Sequence, residues 1–241
     1  MVIIPTYNEI ENISAIIRKV FSLNGHVNIL IVDDGSPDGT ANVVKELKSS
    51  EFPDRLYLIE RQGKLGLGTA YITGFKFALA NGYDFVIEMD ADFSHNPLDL
   101  PKLFNACADR GADVALGSRY KNGVNVVNWP MNRVLMSYFA SKYVQFITGL
   151  PLNDATAGFV CYKKEVLQSL NLDKIKFIGY AFQIEMKFKS WKKGFKIEEV
   201  PIVFTDRTQG ESKMSGSIFR EAVIGMFDLR LQSIFNSPSK F

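Results

Sequence analysis

Cysteine and histidine are scarce in this chain of 241 residues, which has two of each. Cys107 and Cys161 lie far apart and form no CxxC pair or cluster with histidine, so the sequence predicts neither a disulfide framework nor a zinc site. His26 and His95 form no triad with a serine. Because such sparing use of cysteine is typical of reducing compartments, we expect an intracellular protein.

Long apolar runs are also absent. No stretch of about 18 apolar residues occurs, and Met1 leads straight into an apolar segment without the charged start or cleavage site of a signal peptide. The sequence therefore predicts neither a membrane-spanning helix nor secretion. Its hydrophobic content of 46% argues against disorder and is sufficient for one large domain.

Neither sign of charge is in large excess, since the formal net charge is +2. A charge this small, with no recognisable nucleic-acid-binding module, argues against nucleic acid as a partner. From Lys163 onward, however, 14 Lys and Arg face 9 Asp and Glu. This basic half is either a solvated surface or a contact surface for anionic groups such as phosphate or lipid headgroups.

Strand and helix patterns alternate through the first half of the chain. Each short apolar run is followed by apolar residues at helical spacing. This alternation is typical of an α/β fold, in which a mostly parallel sheet carries helices on both faces. The predicted strands are residues 2–4, 27–32, 56–59, 85–89 and 114–116, and the predicted helices begin near residues 10, 43, 68 and 97.

The second half is less regular. Pro201 lies inside a predicted strand, which indicates an edge position or a bulge. The polar residues 205–217 are typical of a mobile loop. The predicted helices are residues 131–147, 182–191 and 218–235, and the predicted strands are 157–162 and 195–204. Since no repeat, low-complexity tract or linker is visible, we expect a single domain over residues 1–241.

Two carboxylates, Asp90 and Asp92, directly follow the predicted strand at residues 85–89. In an open α/β sheet, ligands bind outside the carboxyl ends of the strands. Paired hard oxygen ligands at such a place indicate a site for Mg²⁺ or Mn²⁺, and Ser94 is close enough to add an oxygen. Because Mg²⁺ in proteins commonly bridges phosphate oxygens, a diphosphate is the expected occupant.

Polar segments also follow the first and second predicted strands, at residues 5–9 and 33–40. Since the carboxyl ends of parallel strands meet at one edge, all three clusters should converge there. Taken singly, each has a structural alternative: Asn8 as a helix N-cap, Asp38 as a turn residue, and Asp33 as a cap of backbone amides. Three clusters at one edge favour a binding site.

The same edge has the chemistry of a nucleoside pocket. Asp34 can accept hydrogen bonds from a ribose or a base, and Tyr7 offers a ring face and a hydroxyl. Pro5 and Val32 offer backbone carbonyl groups. The sequence therefore predicts a site for a nucleoside diphosphate beside the metal.

The glycine-rich run GKLGLG at residues 63–68 does not match either common phosphate-binding pattern. It lacks the GxxxxGK[ST] spacing, and Tyr71 stands where GxGxxG needs a small residue. An NTPase or a dehydrogenase is therefore disfavoured. The run is either a flexible turn before a helix or a segment that lets Lys64 reach an anion or a nearby carboxylate.

Four later cations are candidates for phosphate binding. Arg119 follows a predicted strand on the favoured edge, and Arg133 lies at a helix start. Arg207 and Lys213 lie in the polar loop among Gly and Ser, as in a lid that binds an anion. The planar guanidinium suits phosphate, although each cation could instead be an ordinary surface charge.

Read together, these motifs resemble the GT-A family-2 glycosyltransferases, and most closely the polyprenyl-phosphate (dolichyl-phosphate) mannose synthases. The resemblance covers nearly the whole chain in order. Its motifs are IPTYNE (4–9), VDDGSPDGT (32–40), GKLGLGTA (63–70), MDAD (89–92), GSRY (117–120), NWP (128–130), GYAFQIEM (179–186) and DR with GESKM (206–207, 210–214). The first two and the DxD occur in many sugar transferases, whereas the GKLGLGTA, GYAFQIEM and GESKM segments are more specific to the mannose synthases.

The resemblance implies a nucleotide-binding half at residues 1–120 and an acceptor- and membrane-facing half at residues 121–241. It also implies inverting transfer of mannose from GDP-mannose to a polyprenyl or dolichyl monophosphate, with Mg²⁺ or Mn²⁺ as cofactor. The implied donor contacts are Pro5, Tyr7, Glu9, Val32, Asp34, Asp90, Ala91 and Asp92. The implied metal ligands are Asp90, Asp92 and Ser94, and the implied catalytic residues are Asp92, Arg119, Arg133, Arg207 and Lys213.

The chain departs from the family in two respects. Many members have Gln where this chain has Ser94, so a water is expected in that coordination place. Some members also append transmembrane helices after the catalytic domain, whereas this sequence of 241 residues contains none, so either the protein binds membranes peripherally or its sequence is truncated. We therefore expect a cytoplasmic protein that binds the cytoplasmic face of a membrane peripherally, through amphipathic helices 131–147 and 218–235. The alternative is that these helices pack on the core.

The sequence is also compatible with other functions. A transferase of the same fold could use UDP-glucose or another donor, and a non-catalytic protein could bind sugar nucleotides or act as a membrane scaffold. Glu185 is either a residue on the acceptor side or a helix-surface glutamate.

Overall fold

A seven-stranded sheet forms the centre of the structure, a computed structural model that describes residues 1–23, 25, 27–206, 225–227 and 229–231. In chain order the strands are β1 (Val2–Thr6), β2 (Ile29–Asp33), β3 (Leu56–Glu60), β4 (Phe85–Glu88), β5 (Val114–Ser118), β6 (Val126–Val127), β7 (Val160–Lys163), β8 (Ile197–Pro201) and β9 (Phe204–Thr205). The sheet order is β3-β2-β1-β4-β7-β5-β8, and β6 pairs with β9 separately. Only the pairs that β7 makes with β4 and β5 are antiparallel among these strands. The predicted, mostly parallel sheet is confirmed.

Helices cover both faces of this sheet. In chain order they are α1 (Ile10–Phe21), α2 (Thr40–Ser50), α3 (Leu67–Ala80), α4 (Leu100–Ala108), α5 (Met131–Thr148), α6 (Lys164–Ser169) and α7 (Tyr180–Lys192), with 3₁₀ turns at Pro97–Asp99 and Leu172–Lys174. One core cluster joins the sheet to α3, α6 and α7, with Phe75 and Phe182 at its centre. The other joins it to α1, α2 and α4 through residues such as Ile16 and Leu103. The α/β class predicted from the alternating pattern is therefore confirmed.

The sequence of β2 shows why this sheet forms. Its five residues, ILIVD, are all buried, as expected for a central parallel strand covered on both faces. Gly74 allows α3 to pack closely on the neighbouring strand, because a Cβ there would lie 2.7 Å from Ile3 Cδ1. The first three strands are in register, so Thr6 lies beside Asp33 and Asp33 beside Glu60. Their carboxyl ends are thereby aligned at one edge.

The predicted single strand at residues 195–204 is wrong, because the structure has two strands there. Pro201 ends β8 at the edge of the sheet, which confirms its predicted edge position. The amide of Ile202 still donates to Ser118 O at 3.1 Å, but Phe204 N then donates to Asn125 O at 3.0 Å. The chain therefore leaves the large sheet after Pro201 and pairs with β6 instead.

Much of the predicted C-terminal part lies outside the described residues, including most of the loop 205–217 and of the helix 218–235. Residues 225–227 and 229–231 are helical, and Met226 and Leu229 are buried against the core. Within the ranges that the structure describes, no helix is both long enough and apolar enough to cross a membrane.

Candidate functional site

The segments after β1 and β2 interlock at the carboxyl edge of the sheet. Thr6 Oγ1 donates to Asp33 Oδ2 at 2.7 Å, and Asn8 N donates to Ser36 Oγ at 2.9 Å. Ile10 N donates to Asp38 Oδ2 at 3.1 Å, so Asp38 caps the start of α1. These hydrogen bonds hold residues 5–9 and 33–40 against each other, as expected for segments that follow two paired parallel strands.

The predicted nucleoside contacts lie together on this edge. Pro5 and Val32 are register partners on β1 and β2. Tyr7 is half-buried, and the ammonium of Lys64 lies 5.1 Å from the centre of its ring. Asp34 is buried, and its amide donates to Thr6 O at 2.9 Å. The remaining predicted donor contacts are Glu9, at the start of α1, and Ala91, which is buried between the two predicted metal ligands.

Sequence reasoning missed Arg61, whose buried guanidinium forms an ion pair with Asp34. Arg61 Nε donates to Asp34 Oδ1 at 2.7 Å, and Leu65 N donates to Oδ2 at 3.2 Å. The Asp34 carboxylate, which we predicted to bind the nucleoside, is thus held in place by the residue that follows β3. The sequence signal for Arg61 was weak, because nothing local distinguishes it from an ordinary loop arginine.

The carboxylate pair follows β4. The side chain of Asp90 is 40% exposed, whereas Asp92 is buried and its Oδ1 accepts a bond from Ser94 N at 3.1 Å. Phe93, between Asp92 and Ser94, has a φ of 61°, which is uncommon for a residue with a side chain. The chain therefore turns sharply directly after the carboxylate pair.

His95 supports Asp90. Its Nδ1 accepts a hydrogen bond from Asp90 N at 3.1 Å, which assigns the proton of the neutral ring to Nε2. The ring stacks on Phe159 at 4.9 Å, and the hydroxyl of Tyr71 lies 3.5 Å from Asp90 Oδ1. Burial, followed by the charge of Asp90, raises the pKa of Tyr71 well above its usual value, so that hydroxyl keeps its proton. His95 is a structural support rather than a loop surface residue.

The predicted ligands fit a divalent cation with few protein ligands. Within the described residues, no cluster of three or more His, Cys, Asp or Glu side chains could hold a metal. The Asp90 and Asp92 carboxylates would supply two hard oxygen ligands to such a cation and would leave its further coordination places to water and phosphate. This is how Mg²⁺ is usually bound, because it keeps several waters and takes one or two carboxylates.

A group of buried polar side chains lies beneath this turn. Glu88 on β4 is fully buried, and burial raises the pKa of its carboxyl to about 8. Lys187 on α7 is also fully buried, which lowers its pKa to about 8, and its Nζ donates to Ala157 O. Glu185 is buried as well, so its predicted helix-surface alternative is wrong. Its Oε2 accepts bonds from the amides of Lys176 and Phe177 at 2.9 and 3.0 Å.

Arg119 lies at the end of β5, on the predicted edge, but its guanidinium is buried. Its Nε and one terminal nitrogen donate to the two oxygens of Asp154 at 2.7 and 2.6 Å, and that nitrogen also donates to Thr156 Oγ1 at 2.8 Å. Burial alone would raise the pKa of Asp154, but the charge and hydrogen bonds of Arg119 outweigh it and lower that pKa. Arg119 therefore joins β5 to the segment before β7.

Arg133 lies in the first turn of α5. One of its terminal nitrogens lies 2.8 Å from both oxygens of Asp206, and its guanidinium stacks on Trp129 at 4.2 Å. The pairing of β6 with β9 brings these residues together. Asp92 and Asp206 both line a cleft of about 230 Å³, whose other lining residues are Phe93, Asn96, Pro97, Val203 and Thr205. Arg207 and Lys213 lie outside the described residues.

The sequence of this chain is similar to those of known glycosyltransferases. The sequence pattern of "Glycosyl transferase family 2" matches residues 1–170. The chain is 47% identical to polyprenol monophosphomannose synthase of Mycolicibacterium smegmatis, over 92% of this chain and 83% of that protein. It is 43% identical to undecaprenyl-phosphate mannosyltransferase of Micrococcus luteus, over 94% of this chain and 91% of that protein.

Solved structures show the same fold. Glucosyl-3-phosphoglycerate synthase from Mycobacterium tuberculosis, in complex with Mn²⁺, UDP-glucose and phosphoglyceric acid, superimposes with a TM-score of 0.67 at 19% identity, over 95% of this chain and 78% of that one. A mannosyltransferase from Pyrobaculum calidifontis, in complex with GDP-Man and Mn²⁺, has a TM-score of 0.57 at 17% identity, over 99% of this chain and 71% of that one. The predicted GT-A fold is confirmed, and the chain belongs to glycosyltransferase family 2.

Proposed function

We propose that this enzyme transfers mannose from GDP-mannose to a polyprenyl or dolichyl monophosphate, with inversion at the sugar and with Mg²⁺ or Mn²⁺ as cofactor. The observation that carries the proposal is the parallel pairing of β1 with both β2 and β4, because these three strands end just before Tyr7, Asp34 and the carboxylate pair of Asp90 and Asp92. Two relatives above 40% identity are named for mannosyl transfer to polyprenyl phosphates, which supports this sugar and this acceptor.

In the proposed complex, the nucleoside lies along the carboxyl ends of β1 and β2. Asp34 accepts hydrogen bonds from it, Tyr7 and Glu9 border it, and the carbonyl groups of Pro5 and Val32 face it. Asp90, Ala91 and Asp92 follow β4 on the same edge, where the diphosphate would lie. A divalent metal on Asp90 and Asp92, with Ser94 or a water near it, would offset negative charge on that diphosphate.

In this reaction the phosphate of the acceptor is the nucleophile. A phosphate monoester has a second pKa of about 6, so it is largely dianionic at neutral pH and needs no base. One of its oxygens forms a bond to the anomeric carbon while the bond to GDP breaks, and the electron pair leaves with the β-phosphate of GDP. Arg119, Arg133, Arg207 and Lys213 are the proposed cations that stabilise the phosphates.

An exposed apolar face on α5 supports binding to a membrane surface. Met131, Leu135, Phe139 and Phe146 are exposed, with exposed fractions of 70%, 48%, 62% and 87%. At 3.6 residues per turn they project within a face about 80° wide. The buried residues Ser141, Val144 and Thr148 lie on the opposite face. We define these four exposed residues as the α5 apolar face, and we propose that it enters the headgroup region on the cytoplasmic side of the membrane.

The proposal is tested by incubating the purified chain with GDP-mannose, a short polyprenyl phosphate and Mn²⁺ or Mg²⁺. We expect a mannosyl lipid and GDP, and we expect EDTA or Asp92→Asn to abolish product formation. Asp54→Asn is the matched control, because Asp54 is an exposed acid between α2 and β3. Full activity in EDTA would contradict the metal role, and product from UDP-glucose but not from GDP-mannose would favour the alternative donor.

A further inference from the structure

Arg61 joins three segments at the nucleoside edge. Its side chain and that of Asp34 are 8% and 9% exposed. Besides the bond from Nε to Asp34, its terminal nitrogens donate to Thr69 Oγ1 at 2.8 Å and to Gly66 O at 3.3 Å. Its own amide donates to Asp33 O at 2.8 Å. One buried guanidinium thus connects the end of β2, the glycine-rich run and the first turn of α3.

The loops that follow β2 and β3 are in close backbone contact. Gly35 has a φ of +69°, and a Cβ on it would lie 3.0 Å from Gly63 N and 3.2 Å from Arg61 O. Leu65 N donates to the Oδ2 atom of Asp34. The orientation of the Asp34 carboxylate is therefore set by residues 61–65 rather than by its own loop alone.

The same segment reaches Tyr7 through the contact of Lys64 with the aromatic ring. Residues 61–66 consequently border both proposed nucleoside contacts, Asp34 and Tyr7. Arg61 occupies the Oδ1 side of Asp34, while Oδ2 accepts the Leu65 amide. A carboxylate oxygen can accept two hydrogen bonds, so Oδ2 retains acceptor capacity for a donor on the ligand.

We propose that Arg61 is a positioning residue for the nucleoside of the donor. It fixes the Asp34 carboxylate so that Oδ2 faces the nucleoside, and it holds residues 61–66 against Tyr7. Arg61 acts through these groups and does not touch the diphosphate or the sugar. This inference rests on the proposed function, because it assumes that a nucleoside diphosphate occupies this edge.

Arg61→Lys keeps the charge but cannot reach Asp34, Gly66 and Thr69 with one ammonium group. We expect GDP in the presence of Mn²⁺ to bind about tenfold or more weakly, measured by isothermal titration calorimetry. Pyrophosphate with Mn²⁺, which lacks the nucleoside, should bind within about twofold of wild type. The KM for the sugar nucleotide should rise, while kcat at saturating donor changes little.

Two further variants accompany this comparison. Arg18→Lys is the control, because Arg18 also contacts a carboxylate, Glu51, through two nitrogens, but on the surface and away from this edge. It should bind GDP as wild type does. Thr69→Val removes one partner of Arg61 and leaves the pair with Asp34 in place, so we expect a smaller loss of GDP affinity. It supplies the test if Arg61→Lys does not fold.

The outcomes separate this inference from the proposed function. A wild-type protein that binds UDP and not GDP would refute the donor, and the same comparison made with UDP would then test Arg61. The inference is overturned if Arg61→Lys binds the preferred nucleotide as tightly as wild type. It is also overturned if Arg61→Lys weakens pyrophosphate as much as the nucleotide, because the effect would then be a general loss of structure.

Discussion

Replacing Arg119 with Met should destabilise the fold severely. The substitution retains most of the apolar stem and removes the guanidinium that pairs with Asp154, whose side chain is 0% exposed. Removing one partner of a buried pair leaves the other charge uncompensated and typically costs about 3–5 kcal/mol. We expect the free energy of unfolding to fall by about that amount, which is a large fraction of the roughly 5–15 kcal/mol typical of a folded domain.

Urea denaturation followed by circular dichroism at pH 7.5 measures this loss. Arg18→Met is the control, since its pair with Glu51 is exposed, and it should unfold at nearly the wild-type urea concentration. The double variant Arg119→Met with Asp154→Asn should recover part of the lost stability, because it also removes the unpaired charge. An Arg119→Met protein with the wild-type urea midpoint would refute this interpretation of the pair.

The pH dependence gives an independent test of the same pair. Arg119 outweighs the effect of burial and holds the pKa of Asp154 below its ordinary value of 3.8. A carboxyl whose pKa is lower in the folded state contributes stability above its unfolded pKa and loses that contribution as the pH falls toward the folded value. In Arg119→Met, burial without the guanidinium raises the pKa of Asp154 above 3.8. The stability difference between wild type and Arg119→Met should therefore be largest near neutral pH and shrink as the pH falls through that raised pKa toward the lower folded-state pKa of wild type.

Two further predictions concern the surface and the core. The double variant Phe139→Ser with Phe146→Ser should sediment less with vesicles containing anionic lipid than wild type does. The control is Leu98→Ser, which alters a comparably exposed residue outside the α5 apolar face and should sediment as wild type does. Equal sedimentation of wild type, the double variant and the control would contradict a membrane role for this face. Gly74→Ala should lower the free energy of unfolding, measured in urea, by about 1–3 kcal/mol, because the added methyl group would overlap Ile3. This loss is expected although alanine favours helices more than glycine does. A stabilised variant would show that β1 can move to make room for the methyl group.

The sequence predicted most of the large sheet because β1, β2, β3 and β4 are short apolar runs that are each followed by helical spacing. The carboxyl edge followed from that topology, and so did the meeting of residues 5–9, 33–40 and the carboxylate pair. The direction of β7 could not be predicted, because an apolar run does not indicate which way a strand runs. The break between β8 and β9 was missed for a similar reason, since Pro201 marks an edge but does not specify the next pairing partner.

Local sequence patterns could not predict which side chains pair with the charged residues of the site. Arg119 was predicted on the favoured edge, but Asp154 lies 35 positions further along the chain and meets it only in the fold. The pairing of Arg61 with Asp34 could not be predicted either, because 27 positions separate the two residues in the sequence. Glu185 in helix α7 was expected either on the acceptor side or on the helix surface, and it is buried instead. Burial of this kind depends on packing, which spacing within one helix does not reveal.

The two arginines that the structure describes among the proposed phosphate contacts differ in how readily they can change partner. Arg119 and Asp154 have side chains that are 10% and 0% exposed, whereas Arg133 and Asp206 are 33% and 26% exposed. Exchange of a buried partner leaves its carboxylate uncompensated and dehydrates the incoming anion, but a partly exposed pair can exchange one anion for another at a small cost. Asp206 also shares a cleft with Asp92. We therefore expect Arg133 to contact an incoming phosphate directly, and Arg119 to stabilise the phosphates through its charge alone, while it keeps its pair with Asp154.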